Sequence, residues 1–128
     1  MDGIVVEKIK IVFSDTRGEI TDLLNKEISH VGLITTTKNS TRGNHYHKKS
    51  IQYSYIYSGK FEVLVANCEN IDAVEKIILN SGELITIQPG IVHTFTAIED
   101  AVMIDMISIS RSDKKYEDDV IKGIILKH

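Results

Sequence analysis

The sequence predicts an all-β domain that closes into a sandwich or barrel, and three observations carry that expectation. Apolar residues recur with period two rather than 3.6 over most of the chain. Gly or Asn breaks the pattern at Gly59, Asn67, Asn70, Asn80, Gly82 and Gly90, which makes the strands short and regularly spaced. The chain of 128 residues, 42% of them hydrophobic, is enough to close one apolar core, and no linker, repeat or low-complexity tract divides it. A single domain over residues 1–128 is expected.

The elements follow in order. Ile9, Ile11 and Phe13 alternate with Lys8, Lys10 and Val12 in a first strand, which the turn-prone Ser14-Asp15-Thr16-Arg17-Gly18 ends. Residues 20–28 fit strand and helix equally well. Residues 31–37, rich in β-branched side chains, read as a strand. A polar loop over 39–44 ends near Gly43 and leads to strands at 45–47, 52–57, 61–66, 74–79, 83–87, 92–97 and 101–109. Only the tail over 113–122 carries helix-like charge, which predicts one short helix.

Composition excludes several classes of function. The net charge is −3 with both signs interspersed, so no nucleic-acid backbone is favoured as a partner. No apolar run approaches the roughly 20 residues of a transmembrane helix, so no membrane partner is expected. Asp2, Glu7, Lys8 and Lys10 break up the first ten residues, which do not read as a signal peptide; a cytoplasmic location is the default expectation. Cys68 is the one cysteine, which fits a reducing compartment and the role of a small hydrophobe rather than a nucleophile.

Chemistry concentrates in the histidines. Three of the five, His45, His47 and His93, stand in strand-like segments where histidine is not a usual core residue. His45 and His47 are two apart, so both rings project from one face of a strand. Gln52 follows, then Gly59. On the later strand His93 comes after Gly82 and Pro89-Gly90, where the one proline of the chain fixes φ and the glycine permits a sharp reversal. Two histidines on one strand and one on a distant strand converge only if the sheet curls into a barrel.

These residues carry a family resemblance. His45-x-His47, Gln52 and Gly59 resemble the first cupin motif, with Gln in place of the usual Glu. Gly82, Pro89-Gly90 and His93 resemble the second. The resemblance implies the double-stranded β-helix, a jelly-roll-like barrel. A narrower likeness lies in Asp15-Thr16-Arg17-Gly18-Glu19-Ile20 and in Thr41-Arg42-Gly43-Asn44-His45-Tyr46-His47-Lys48-Lys49 with Gln52. These segments look like the cupins that act on nucleotide sugars, the dTDP-sugar 3,4-ketoisomerases and more loosely the dTDP-4-dehydrorhamnose epimerases. The Arg-Gly-Asn-His-Tyr-His run also resembles the zinc-binding cupin domain at the end of some capsule-sugar enzymes.

Two chemistries remain open for the cluster. His45, His47, Gln52 and His93 suit a divalent ion such as Zn, Fe, Ni or Mn, although a neutral carboxamide attracts a dication less than a carboxylate would. Alternatively His47 removes a proton beside a sugar ketone, with His45 in support and Tyr46 returning a proton, and no cofactor is required. The resemblance to nucleotide-sugar cupins implies a small-molecule nucleotide-sugar substrate, for whose pyrophosphate Arg17 and Arg42 are candidates. Phe95 shares a face with His93 and is expected to line the cavity. Parity turns Tyr53, Tyr55 and Tyr57 outward, which predicts a homodimer surface. Asp105 interrupts the apolar run over 102–109 without an evident role. The leading expectation is an isomerase or epimerase; a metal-dependent cupin enzyme and a non-catalytic small-ligand binder are the alternatives.

Overall fold

The structure, a computed structural model, describes residues 1–110, 112 and 114–128. Its strands are β1 (Ile4–Lys8), β2 (Ile11–Asp15), β3 (Gly18–Thr21), β4 (His30–Thr36), β5 (Thr41–His47), β6 (Gln52–Ser58), β7 (Lys60–Asn67), β8 (Glu75–Asn80), β9 (Glu83–Ile87), β10 (Ile91–Ala97) and β11 (Ala101–Ile107). A six-residue helix, α1 (Lys114–Asp119), leads directly into β12 (Val120–Lys122). The expected all-β cupin architecture is present, with its one short helix. Asp113, at the start of the expected tail helix, lies outside the described residues.

Two five-stranded sheets, ordered β1-β9-β6-β11-β4 and β12-β5-β10-β7-β8, form the barrel, and every pairing is antiparallel. Period-two patterning turns one face of each strand inward. Ile56, Ile85, Ile87 and Met103 of the first sheet meet Phe61, Val63, Val65, Leu79 and Phe95 of the second in one buried core. At the other end of the interior the inward residues change to Gln52, Ser54 and Asp105 on the first sheet and His47 and His93 on the second, all buried. The barrel thus has an apolar end and a polar end.

The N-terminal region departs from the expected single strand. The chain breaks at residues 9–10, so that β1 joins the edge of the first sheet while β2 and β3 form a separate two-stranded hairpin. Ile11, Val12, Phe13 and Ile20 on that hairpin are exposed. The ambiguous stretch 20–28 is strand only at its start, in β3, and residues 22–29 contain no helix or strand. Leu24 and Ile28 of this segment pack with Tyr53, Tyr55, Leu84 and Met106. The tyrosine stripe does face outward, but its own chain covers much of it, and only Tyr57 remains well exposed, at 65%. The expectation that all three tyrosines form a free dimer surface is corrected accordingly. No helix among the described residues is long and apolar enough to cross a membrane.

Candidate functional site

His45 and His47 lie on β5, and His93 lies directly opposite His45 on the neighbouring β10. Alternation turns all three rings inward. The His45 and His93 ring centroids are 4.7 Å apart, His45 and His47 5.2 Å, and His47 and His93 5.7 Å with the latter two planes nearly parallel. One nitrogen from each ring falls within 4.8 Å of the others. The predicted convergence is therefore present.

A β-bulge completes this wall. Between His93 and Thr94 the register on β5 jumps from His45 to Gly43, leaving Asn44 as the extra residue. Asn44 takes φ 58° and its side chain accepts a hydrogen bond from the Thr94 hydroxyl at 2.8 Å. In a regular strand Arg42, three residues from His45, would face the outside. The bulge reverses its parity and brings it to the cavity wall. There its guanidinium donates to Thr36 Oγ1 at 2.9 Å and to the Thr35 carbonyl at 2.8 Å. Gly43 allows this close approach: at φ 101° a Cβ would lie 2.6 Å from the His93 carbonyl oxygen.

The tail anchors the cluster from behind. β12 pairs with β5, setting Val120 against His47 and Lys122 against His45. This places Asp119, the last residue of α1, on the His47 ring: its Oδ2 lies 3.2 Å from Nδ1. The Ser50 hydroxyl donates to the same oxygen at 2.5 Å, and the Lys49 and Ser50 amides donate to Oδ1 at 2.6 and 3.3 Å. Burial works to raise the Asp119 carboxyl, but hydrogen bonds from Ser50, Lys49 and His47 outweigh it and hold the group below its usual value. Asp119 is thus an anion that, together with Ser50 Oγ at 3.0 Å from Nδ1, fixes one nitrogen of His47 and turns the other toward Gln52.

His47 Nε2 faces Gln52 Oε1 at 3.1 Å. The Gln52 amide nitrogen donates to Ser54 Oγ at 3.0 Å, and Ser54 donates to Asp105 Oδ1 at 2.7 Å. Ser54 and Asp105 are direct cross-strand partners on β6 and β11. On the opposite wall the His93 Nδ1 lies 3.0 Å from the Ile91 carbonyl, which only accepts, so Nδ1 carries the hydrogen. Its Nε2 is then a bare lone pair, buried and without a hydrogen-bond partner. Burial, followed by the nearby His45 and then His47, pushes the His93 ring down to about 3 despite the Ile91 carbonyl.

The cavity has a volume of about 210 Å³. Arg42, His45, Gln52, His93, Asp105 and Tyr116 supply its polar wall, with Ile34, Met103 and Ile107 as apolar neighbours. A second cleft of about 400 Å³ is lined by Lys48, Lys49, Lys115 and Asp119 and by none of the histidines.

Three expected site residues fall elsewhere. Tyr46 lies between the two inward histidines, so alternation sends it to the outer face, where it packs with Ala66, Val92 and Leu126. It is not positioned to return a proton inside the barrel. Tyr116 of α1 is the tyrosine at the cavity, its ring centroid 6.1 Å from that of His47. Phe95 does share the inward face with His93, but it packs on Phe61 in the core beneath the cluster rather than at the cavity wall. Arg17 lies at the turn of the β2–β3 hairpin, exposed and bound to Asp15 at 2.7 Å, in a crevice separate from the histidines. Asp119 and Ser50 were not singled out by the sequence. The signal was slight: an acidic residue ahead of the short apolar run Val120-Ile121.

The family described as the polysaccharide biosynthesis C-terminal domain matches residues 13–121. No curated protein sequence matches. Among solved structures the chain is similar to a doubly substituted 3,4-ketoisomerase from Thermoanaerobacterium thermosaccharolyticum in complex with TDP, at 26% identity and a TM-score of 0.77, covering 96% of this chain and 89% of that one. A 3,4-ketoisomerase from Helicobacter canadensis matches at 22% identity, TM-score 0.78, over 96% and 92% of the two chains. The dTDP-4-dehydrorhamnose 3,5-epimerase from Sulfolobus tokodaii matches at 20% identity, TM-score 0.75, over 99% and 86%.

Proposed function

The chain belongs to the polysaccharide biosynthesis C-terminal domain family, and from that premise we propose that it is a sugar-nucleotide isomerase or epimerase acting on a dTDP-4-keto-6-deoxyhexose. The observation that carries this reading is the buried His47–Asp119 pair, with its remaining ring nitrogen turned inward. Likeness to nucleotide-sugar ketoisomerases and epimerases along nearly the whole chain supports the substrate class.

In this reading His47 Nε2 takes the proton from C3, beside the C4 ketone. The C–H electron pair passes through the new C3–C4 double bond to the C4 oxygen and gives an enediolate. Asp119 stabilises the charge that His47 acquires, and Gln52 Oε1 is placed to accept the hydrogen bond of the protonated ring. Return of a proton to C4, with the C3 hydroxyl proton moving to the C4 oxygen, yields the 3-ketone. Return to the opposite face of C3 yields the epimer. His45 supports the cluster and Tyr116 is the candidate donor. The cavity is smaller than the roughly 300–1,000 Å³ of sites that enclose drug-sized ligands. It therefore takes the reacting ring, while the diphosphate lies toward the mouth at Arg42.

Deuterium incorporation from D₂O tests this directly. Purified protein should place deuterium on carbon of the ketosugar nucleotide, and His47→Asn should lose at least about 10²-fold of that exchange, the usual scale of general acid–base catalysis. No exchange across a panel of ketosugar nucleotides defeats the reading.

One observation favours a second reading, a metal-dependent cupin. The bare, buried His93 Nε2 fits a metal ligand. His45, His47, His93 and Gln52 would hold the ion, which when bound would polarise a substrate carbonyl.

We also propose a homodimer, on grounds other than the tyrosine stripe. The β2–β3 hairpin exposes Ile11, Val12, Phe13 and Ile20, and β4, an edge strand, exposes Val31 and Leu33 at 60% and 72%. A lone two-stranded hairpin is marginal in water. A second copy supplies both an open edge for the hairpin and a hairpin for the edge, as a two-fold interface requires.

A further inference from the structure

We propose that Asp105 is a positioning residue, which through Ser54 fixes the Gln52 carboxamide so that its oxygen, and not its amide nitrogen, meets the histidine cluster. The two ends of a carboxamide are nearly the same size, so shape alone does not choose between them. The hydrogen-bond network does. Ser54 has one hydroxyl hydrogen and donates it to Asp105 Oδ1 at 2.7 Å. A carboxylate oxygen offers no hydrogen in return, so Ser54 Oγ has only lone pairs left for Gln52. It must accept, and the atom 3.0 Å away is the Gln52 amide nitrogen. The carbonyl oxygen is then committed to the other side, 3.1 Å from His47 Nε2. Flipping the amide would set Gln52 Oε1 against an oxygen with no hydrogen to give, in a site where all three side chains are buried.

The register enforces the chain. Asp105 pairs directly with Ser54, and Ser54 shares an inward face with Gln52 two residues earlier. This accounts for a charged residue inside an otherwise apolar strand. It matters because either chemistry at this cluster needs an oxygen there, as acceptor for the protonated ring or as donor to an ion. The effect on turnover rests on the isomerase reading, whereas the orientation of Gln52 does not.

Nitrogen-15-edited NOE spectroscopy of the labelled protein reads the orientation directly. The Gln52 amide protons should show contacts to the Ser54 β-protons and none to the His47 ring. Asp105→Asn can donate to Ser54, which frees the hydroxyl hydrogen for Gln52 Oε1 and allows the flip; contacts to the His47 ring should appear. Ser54→Ala removes the acceptor and should produce the same contacts, which guards against misfolding of the first variant. The pair Gln52→Glu with Asp105→Asn exchanges charge and carboxamide and keeps an oxygen at His47. Deuterium exchange into the substrate should fall about tenfold in Asp105→Asn alone, yet change less than about twofold when Asp105→Asn is added to Gln52→Glu. Amide contacts to His47 in the unaltered protein, or an unmoved Gln52 in both single variants, overturns the proposal. Absence of exchange with every substrate counts against the isomerase reading alone, since the NOE pattern still decides the orientation.

Discussion

Asp119 and His47, 72 residues apart in the chain, are joined through Oδ2 and Nδ1 at 3.2 Å in the barrel interior. The carboxylate holds Nδ1, so that Nε2 faces Gln52 Oε1, and it compensates the charge gained when Nε2 takes a proton. Asp119→Asn should lower kcat for isotope exchange by about 10²-fold while KM changes by less than about threefold, because its benefit grows with charge on the ring. A variant in which KM rises and kcat holds would assign Asp119 to substrate binding instead.

Acid stability should report the buried imidazole. His93 sits at about 3 in the fold against an ordinary value of 6.5, chiefly because burial disfavours its charged form. The unfolded chain therefore takes up a proton that the fold refuses, and stability falls as pH drops from 6.5 toward 3. The slope contributed approaches about 1.4 kcal/mol per pH unit. Asp119, held low, acts in the same direction further down: its contribution is complete above the ordinary 3.8 and is lost as pH falls through its folded value. Urea midpoints between pH 4 and 7 should depend less on pH in His93→Gln, and identical profiles would refute the assignment.

Gly43 should resist substitution. A methyl group there meets the His93 carbonyl at 2.6 Å, and the backbone stands at φ 101°. Gly43→Ala should cost about 1–3 kcal/mol by denaturant unfolding, and should move His45 away from His93, seen as shifted ring resonances. A variant with wild-type stability would mean that β5 gives way at little cost.

Metal content separates the two chemical readings. Elemental analysis of protein purified without chelator is expected to find less than one ion per chain, and exchange activity should survive dialysis against EDTA. A stoichiometric ion whose removal abolishes activity and whose return restores it would transfer the four inward residues to the metal-dependent reading.

Association should depend on the hairpin. Light scattering coupled to gel filtration is expected to give twice the chain mass for the native protein. Phe13→Asp, which places a charge among Ile11, Val12 and Ile20, should give the monomer mass. Tyr57→Asp should leave the dimer intact; dissociation by that change alone would return the interface to the tyrosine face.

Much of this arrangement was legible in the sequence, and the remainder was lost for definable reasons. Spacing of two made His45 and His47 share a face, and the interval to Pro89-Gly90 placed His93 on a distant strand; period-two arithmetic was enough for both. The same arithmetic put Tyr46 outside the barrel, yet its place between two histidines gave it a role that parity denies. It does not reach Arg42, which the family resemblance named as a phosphate candidate: one bulge residue, Asn44, inverts the face and leaves no separate mark in the pattern. Tyr53 turned outward as parity required, but the cover provided by Leu24 and Ile28 depends on how an irregular segment returns across the sheet. Asp119 depends on β12 pairing with β5, a long-range register that local periodicity does not carry. Asp105 was visible as an anomaly and needed its cross-strand neighbour to acquire a meaning.

The direct opposition of His45 and His93 across one ladder has a wider consequence. Their separation is governed by the pitch of backbone pairing, so no modest side-chain change can tune it by fractions of an ångström. Gln52 comes from the facing sheet and Asp119 from the tail, and both are free of that constraint. Redesign of this barrel toward a different reaction would therefore leave the imidazole ladder alone and exchange the partners brought to it from across the interior.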